Sequence, residues 1–205
     1  MSLLSASEQQ QVTLAIAEVE QETDAELVTV LAASSDDYTY IPLLWAGVLA
    51  LLVPGALNLL TGWLGVSGLL AAQWGTFIVL CLLFRLTGAS GWLVPRGTRY
   101  WRAANMARRQ FLDQNLHHTA GGTGVLIFVS EAEHYVEILV DRGISSQVDN
   151  KVWEEIVADF TSKVRQGRTL DGFVDCIHAC GQHLKTHVPA TGEKNELANH
   201  LIILE

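Results

Sequence analysis

Residues 41–84 contain no Asp, Glu, Lys, Arg or His, and this run constrains what the rest of the chain can be. One membrane span takes about 20 apolar residues, so the run is too long for one and about right for two. The spans are expected near 42–60 and 67–84. Pro54-Gly55 falls inside the first, and Asn58 and Thr61-Gly62 suit a short turn between them. Tyr38 and Tyr40 lie just ahead, where amphipathic rings favour the membrane interface. A pair of helices buried in a soluble core is the competing reading; the length of the run favours the membrane.

The run sits inside the chain, so it interrupts something. Net charge over the 205 residues is −9, which argues against general nucleic-acid binding. All 13 Lys and Arg lie at or after Arg85. Arg85, Arg96, Arg99, Arg102, Arg108 and Arg109 follow one another with no acid between them. Basic residues close to a span are held on the cytoplasmic side, and an even number of spans puts both flanks there. The same run suits anionic lipid head groups, and equally a solvated charged helix. The start has no basic region and no long apolar core, so a cleaved signal peptide is not expected. Cys81, Cys176 and Cys180 form no disulfide framework, which fits a reducing compartment.

The flanks read as one α/β domain. Residues 5–23 suit a helix, opened by Ser5 and Glu8 at capping-box spacing, with Val12, Ala15, Ile16 and Val19 inward. Residues 26–33 are apolar enough for a strand covered on both faces. A second helix is expected over 103–116, with Ala104, Ala107, Phe111, Leu112 and Leu116 on one face and His117-His118 at its end. Residues 124–129 and 135–140 read as an antiparallel pair joined by a short link. Helices carrying Trp153, Ile156 and Phe160, then Phe173, Ile177 and Leu184, complete the pattern. The apolar piece 201–204 is too short to span a membrane and suits packing on the domain or a sheet edge.

Two groups of residues invite chemistry. Asp141 and Asp149 flank a Gly-containing loop after a strand, and their carboxylates suit a hard cation such as Ca²⁺ or Mg²⁺; a turn former and a helix cap are the plainer roles. Cys176, Cys180, His183 and His187 share one helical stripe. That composition suits zinc, although one straight helix wraps four ligands around a tetrahedral ion poorly, and buried thiols are the plainer reading. Gly121-Gly122-Thr123-Gly124 precedes a strand and makes a poor phosphate cradle.

Roughly the whole chain outside the apolar run resembles the TPM-domain family, with residues 18–33 like its first helix and strand. The residues that carry this are Gly-Val-Leu-Ile-Phe-Val, then Tyr-Val-Glu-Ile-Leu-Val, Asp141-Arg142-Gly143-Ile144 and Asp149, with Gly167 and Gly172 in the last helix pair. It is similar to a bacterial subgroup with two spans inserted after the first strand and a tail like Asn195-Glu196-Leu197. The resemblance implies an α/β/α sandwich with a small central sheet, interrupted by a transmembrane helical hairpin. It divides the chain into 1–40 and 95–190 as the two parts of the domain, 41–94 as the hairpin and 191–205 as a tail. Some relatives are weak acid phosphatases or bind a divalent metal, and a thylakoid relative is linked to photosystem II repair. Many secreted relatives carry an acidic loop before the first helix; residues 1–7 have no such acid, so Asp141 and Asp149 are the positions that match. The expectation is a TPM-like module held by the lipid bilayer on the cytoplasmic face of a bacterial inner membrane, meeting a membrane protein partner. The alternative is a weak divalent-metal-dependent acid phosphatase.

Overall fold

The computed structural model describes residues 4–87, 94–191 and 201–204. The tail residues 195–197 lie outside this set. The chain divides into two compact units, Met1–Ser35 with Tyr100–Glu205, and Asp36–Arg99.

The first unit is built on a four-stranded sheet in the order β3-β2-β1-β4. Its helix α1 (Ala6–Glu20) starts at the capping box foreseen from Ser5 and Glu8, each side chain satisfying the other's backbone N–H. Strand β1 (Glu26–Ala32) is buried along its whole length. It pairs in parallel with β2 (Gly124–Ser130) on one side and with β4 (Leu201–Leu204) on the other. β3 (Tyr135–Val140) pairs antiparallel with β2. The strand ahead of the hairpin is therefore central, between strands contributed from after it.

Helices cover both faces. On one, Leu27, Leu31, Val125, Ile127 and Val129 meet α1, α6 (Asn150–Arg165) and α7 (Thr169–His187), with Phe160 edge-on to Phe173 at 4.9 Å between ring centroids. On the other, Val28, Val30, Leu126 and Phe128 meet Ala103 and Ala107 of α4 (Arg96–Asp113). This is a three-layered α/β/α sandwich, since alternate residues of each buried strand feed opposite cores. A short helix, α5 (Arg142–Ser145), links β3 to α6.

The α4 surface differs from the expectation. The helix stops at Asp113 because Asn115 turns left-handed at φ 56°, and Leu116 enters the core from a separate 3₁₀ turn, Leu116–His118. The buried face is Ala103, Ala107 and Gln110, and Leu112 points outward, 54% exposed.

The second unit holds α2 (Tyr40–Thr61) and α3 (Val66–Thr87), two apolar helices that pack on each other. α2 runs through Pro54 without ending. It closes at Gly62 in the left-handed region, φ 65°, and the Asn58 side chain accepts the Leu64 N–H at 2.9 Å to hold the turn. Both helices are long and apolar enough to cross a membrane; 17% of the α2 window and 0% of the α3 window are buried.

Candidate functional site

The two carboxylates singled out by sequence sit at helix starts. β3 runs antiparallel to β2, so its end arrives at the beginning of β2, where the Asp141 N–H donates to Gly124 O at 2.9 Å. Asp141 then caps α5, its Oδ1 accepting the Arg142 N–H at 2.7 Å. Asp149 caps α6, its Oδ1 accepting the Lys151 N–H at 3.0 Å. Each carboxylate therefore gives one oxygen to a helix N-terminus, where negative charge is favoured.

The glycine loop before β2 packs against this turn. A Cβ on Gly143 would stand 2.3 Å from Gly121 O and 2.6 Å from Gly122 O, so no side chain fits there. The Gly143 N–H donates to Gly122 O at 2.9 Å, and Gly122 itself takes φ 65°. The Oδ2 of Asp141 lies 3.5 Å from where a Gly122 Cβ would be. One carboxylate oxygen and the Gly121–Gly122 backbone thus share a tight turn. Ca²⁺ takes about six to eight oxygens, so an ion here would draw much of its shell from backbone carbonyls and water. Among the described residues, no three His, Cys, Asp or Glu side chains gather to hold a metal ion. Among the described residues, the side-chain donors alone do not make a cation site.

A third carboxyl at the same end of the sheet escaped the sequence reading. Glu20, the last residue of α1, accepts the Leu27 N–H at 2.9 Å as β1 begins. Burial, with the Glu26 carboxylate adding to it, pushes Glu20 from the ordinary 4.5 up to about 8. Such a group holds a proton at neutral pH, which suits acid–base chemistry. Its place in sequence, on the Gln- and Glu-rich side of α1, carried no sign of this.

At the opposite end of β1, Glu133 lies buried in the β2–β3 turn, 2% exposed. It accepts the Ser35 N–H at 3.1 Å and the hydroxyls of Ser34 and Ser130. The Ser35 and Ser130 hydroxyls are themselves 2.8 Å apart. This ties the last residue of the sandwich before the hairpin to the neighbouring turn. The only trace in the sequence is the Ser130-x-x-Glu133 spacing.

The Cys and His stripe of α7 divides. Cys176 and Cys180 are buried in the core, where their mutual hydrogen bond and burial hold the Cys180 thiol well above its usual range. His183 packs edge-on to Trp153, and His187 meets the His183 carbonyl through Nδ1 at 2.8 Å. The thiols are core residues. A polar cleft of about 570 Å³ lies between α1 and α7, floored by Gly181, where a Cβ would stand 2.7 Å from Val19. Its polar side chains meet one another: Lys185 pairs with Glu22 at 2.8 Å, and His178 Nε2 lies 3.6 Å from Glu18.

Three comparisons bear on this arrangement. The family model of the TPM domain matches residues 96–183. Comparison with curated proteins gives no match. Among solved structures, the chain is similar to the NMR structure of the BA42 protein from the psychrophilic bacterium Bizionia argentinensis. The TM-score is 0.61 at 18% identity, over 98% of this chain and 94% of that one, a likeness of fold. The matched residues hold both Asp141 and Asp149, and the α/β/α layers around them share the fold of that neighbour.

Proposed function

We propose that this chain is a membrane-anchored TPM-domain protein whose hairpin holds the sandwich on the cytoplasmic face of a bacterial inner membrane, where it serves as an interaction or assembly module. The observation that carries the reading is the surface of the hairpin. Leu59, Leu60, Trp63 and Leu86 are each more than four-fifths exposed, and the α3 window has no buried residue. Apolar patches of this kind mark a lipid or partner contact, because soluble proteins rarely expose them to water. The arginine run after α3 supplies the orientation.

The test is twofold. The full chain should resist alkaline carbonate extraction from membranes, and reporters fused at Ser35 and at the C-terminal end should both read cytoplasmic. A periplasmic signal from either fusion sinks the orientation.

The weak phosphatase reading draws support from the Asp141 carboxylate beside the Gly121–Gly122 backbone. Phosphoester turnover that requires Mg²⁺ or Ca²⁺ and disappears with Asp141→Asn would favour it over the interaction module.

A further inference from the structure

The outer side of α4 is not accounted for by the sandwich. Trp101, Asn105, Arg108 and Leu112 recur at i, i+4, i+7 and i+11, so they form one stripe, with Arg102 and Arg109 beside it. Ala103, Ala107 and Gln110, buried against the sheet, lie on the opposite side of the helix. The stripe faces out: Trp101 is 60% exposed, and Arg108 and Arg109 are exposed as well. Two large apolar side chains among arginines, in a protein of net charge −9, make a local reversal of its overall character. α1, on the far side of the sheet, has Glu8, Glu18 and Glu20 and no Lys or Arg.

We infer that this stripe of α4 docks on the anionic head groups of a phospholipid surface. The inference rests on the membrane reading given above. Helices that lie in the interface plane combine Lys or Arg with Trp, Phe or Leu, because the cations meet phosphates while the apolar groups enter the acyl boundary. A nucleic acid would use the arginines and leave Leu112 in water; an acidic protein would have to match both. The chain favours the lipid further by proximity. Eight residues separate Thr87 from Arg96, a linker reaching at most roughly 30 Å, so α4 meets the surface at high effective concentration. Arg102, 5.1 Å from the Trp101 ring, keeps a cation beside the apolar group that enters the boundary.

The experiment uses the full chain reconstituted in vesicles. Cys81→Ala with Asn105→Cys puts one reactive thiol in the stripe, since Cys176 and Cys180 are buried. A polarity-sensitive dye is attached there. In phosphatidylcholine vesicles containing phosphatidylglycerol its emission should be severalfold brighter and blue-shifted relative to phosphatidylcholine alone. Raising salt from about 0.1 M to about 1 M, which shortens the screening length from about 10 Å to about 3 Å, should reverse most of the change. Each basic residue near an anionic leaflet strengthens binding about fivefold, so Arg102→Gln with Arg108→Gln and Arg109→Gln should weaken the lipid contact on the order of a hundredfold. Trp101→Ser with Leu112→Ser should reduce the blue shift while leaving the salt dependence in place. Trp101, Arg108, Arg109 and Leu112 are exposed and Arg102 is half-buried, and circular dichroism checks that the variants fold. A chain that carbonate strips from the vesicles overturns the membrane reading, and this inference with it. A chain that stays integrated but gives the same emission in both vesicles overturns the inference alone, as does a response unchanged by the arginine substitutions.

Discussion

β1 and α3 are both long apolar runs without a charge in their middle, and the molecule treats them in opposite ways. Every residue of β1 is buried between two helical layers. The α3 span window has no buried residue. A strand leaves all its backbone N–H and C=O groups for neighbours to satisfy, so β1 needs β2 and β4 beside it before its apolar side chains are of any use. A helix satisfies its own backbone and needs only a solvent that tolerates its side chains. The two runs thus meet the same problem differently: one makes its own interior, and the other, on the reading proposed above, takes a bilayer for its surroundings.

The sharpest way to separate these cases is to place the same charge in each. Ile127→Asp puts an unpaired carboxylate in the middle of the sheet, beneath α1 and α6. It should exceed about 4 kcal/mol and leave the sandwich unfolded, read as loss of protease resistance. Phe160→Ala removes the ring that meets Phe173 and should cost about 3–5 kcal/mol in urea unfolding of a chain with the hairpin replaced by a short Gly/Ser linker. Ile78→Asp, on the exposed side of α3, should cost about 2.5–3.5 kcal/mol in membrane insertion of the full chain and leave the protease resistance of its sandwich untouched. If Ile78→Asp instead raises yield in water with no loss of membrane association, the contrast between the two runs collapses.

Two smaller effects probe the sheet end. Glu20 has a folded-state value raised from 4.5 to about 8, so the folded chain binds more protons than the unfolded one between those values. Stability should be full below about pH 4.5, fall as pH rises and level off above about pH 8. Glu20→Gln should flatten the slope while keeping the acceptor for the Leu27 N–H; an unchanged slope would assign it to another group. Asp149→Asn should shift stability by only a few tenths of a kcal/mol, since Asn caps as well as Asp, whereas Asp149→Ala should cost about 1 kcal/mol. Equal effects of Asn and Ala would mean that the cap bond to Lys151 contributes nothing.

Much of this architecture could be read from residue patterns because those patterns act locally. The Ser5–Glu8 reciprocity lies within one turn, and the alternation of Val136, Ile138 and Val140 marks a strand regardless of its partner. The uncharged hairpin declares itself by length alone. Strand order was not legible, because β1 finds β2 and β4 across long stretches of chain. Nor was the outward turn of Leu112, which depends on where Asn115 ends the helix. At the candidate site, Asp141 and Asp149 stood out as acids around a glycine. The packing of Gly143 on the Gly121–Gly122 carbonyls depends on two loops meeting in space. Glu20 and Glu133 looked like ordinary surface acids, since burial of a carboxyl comes from tertiary neighbours that a spacing rule does not contain.

The position of β1 in the sheet also sets a timetable. Glu26 pairs with Gly124, 98 residues later in the chain. Synthesis runs at about 5–20 residues per second, so β1 leaves the ribosome roughly 5 to 20 s before its first partner exists. The two apolar helices emerge in that interval. During it the nascent chain presents a sticky, unpaired strand just ahead of the two apolar helices. If the hairpin enters a bilayer, as proposed above, that step falls before the sheet is complete, while β1 is still unpaired.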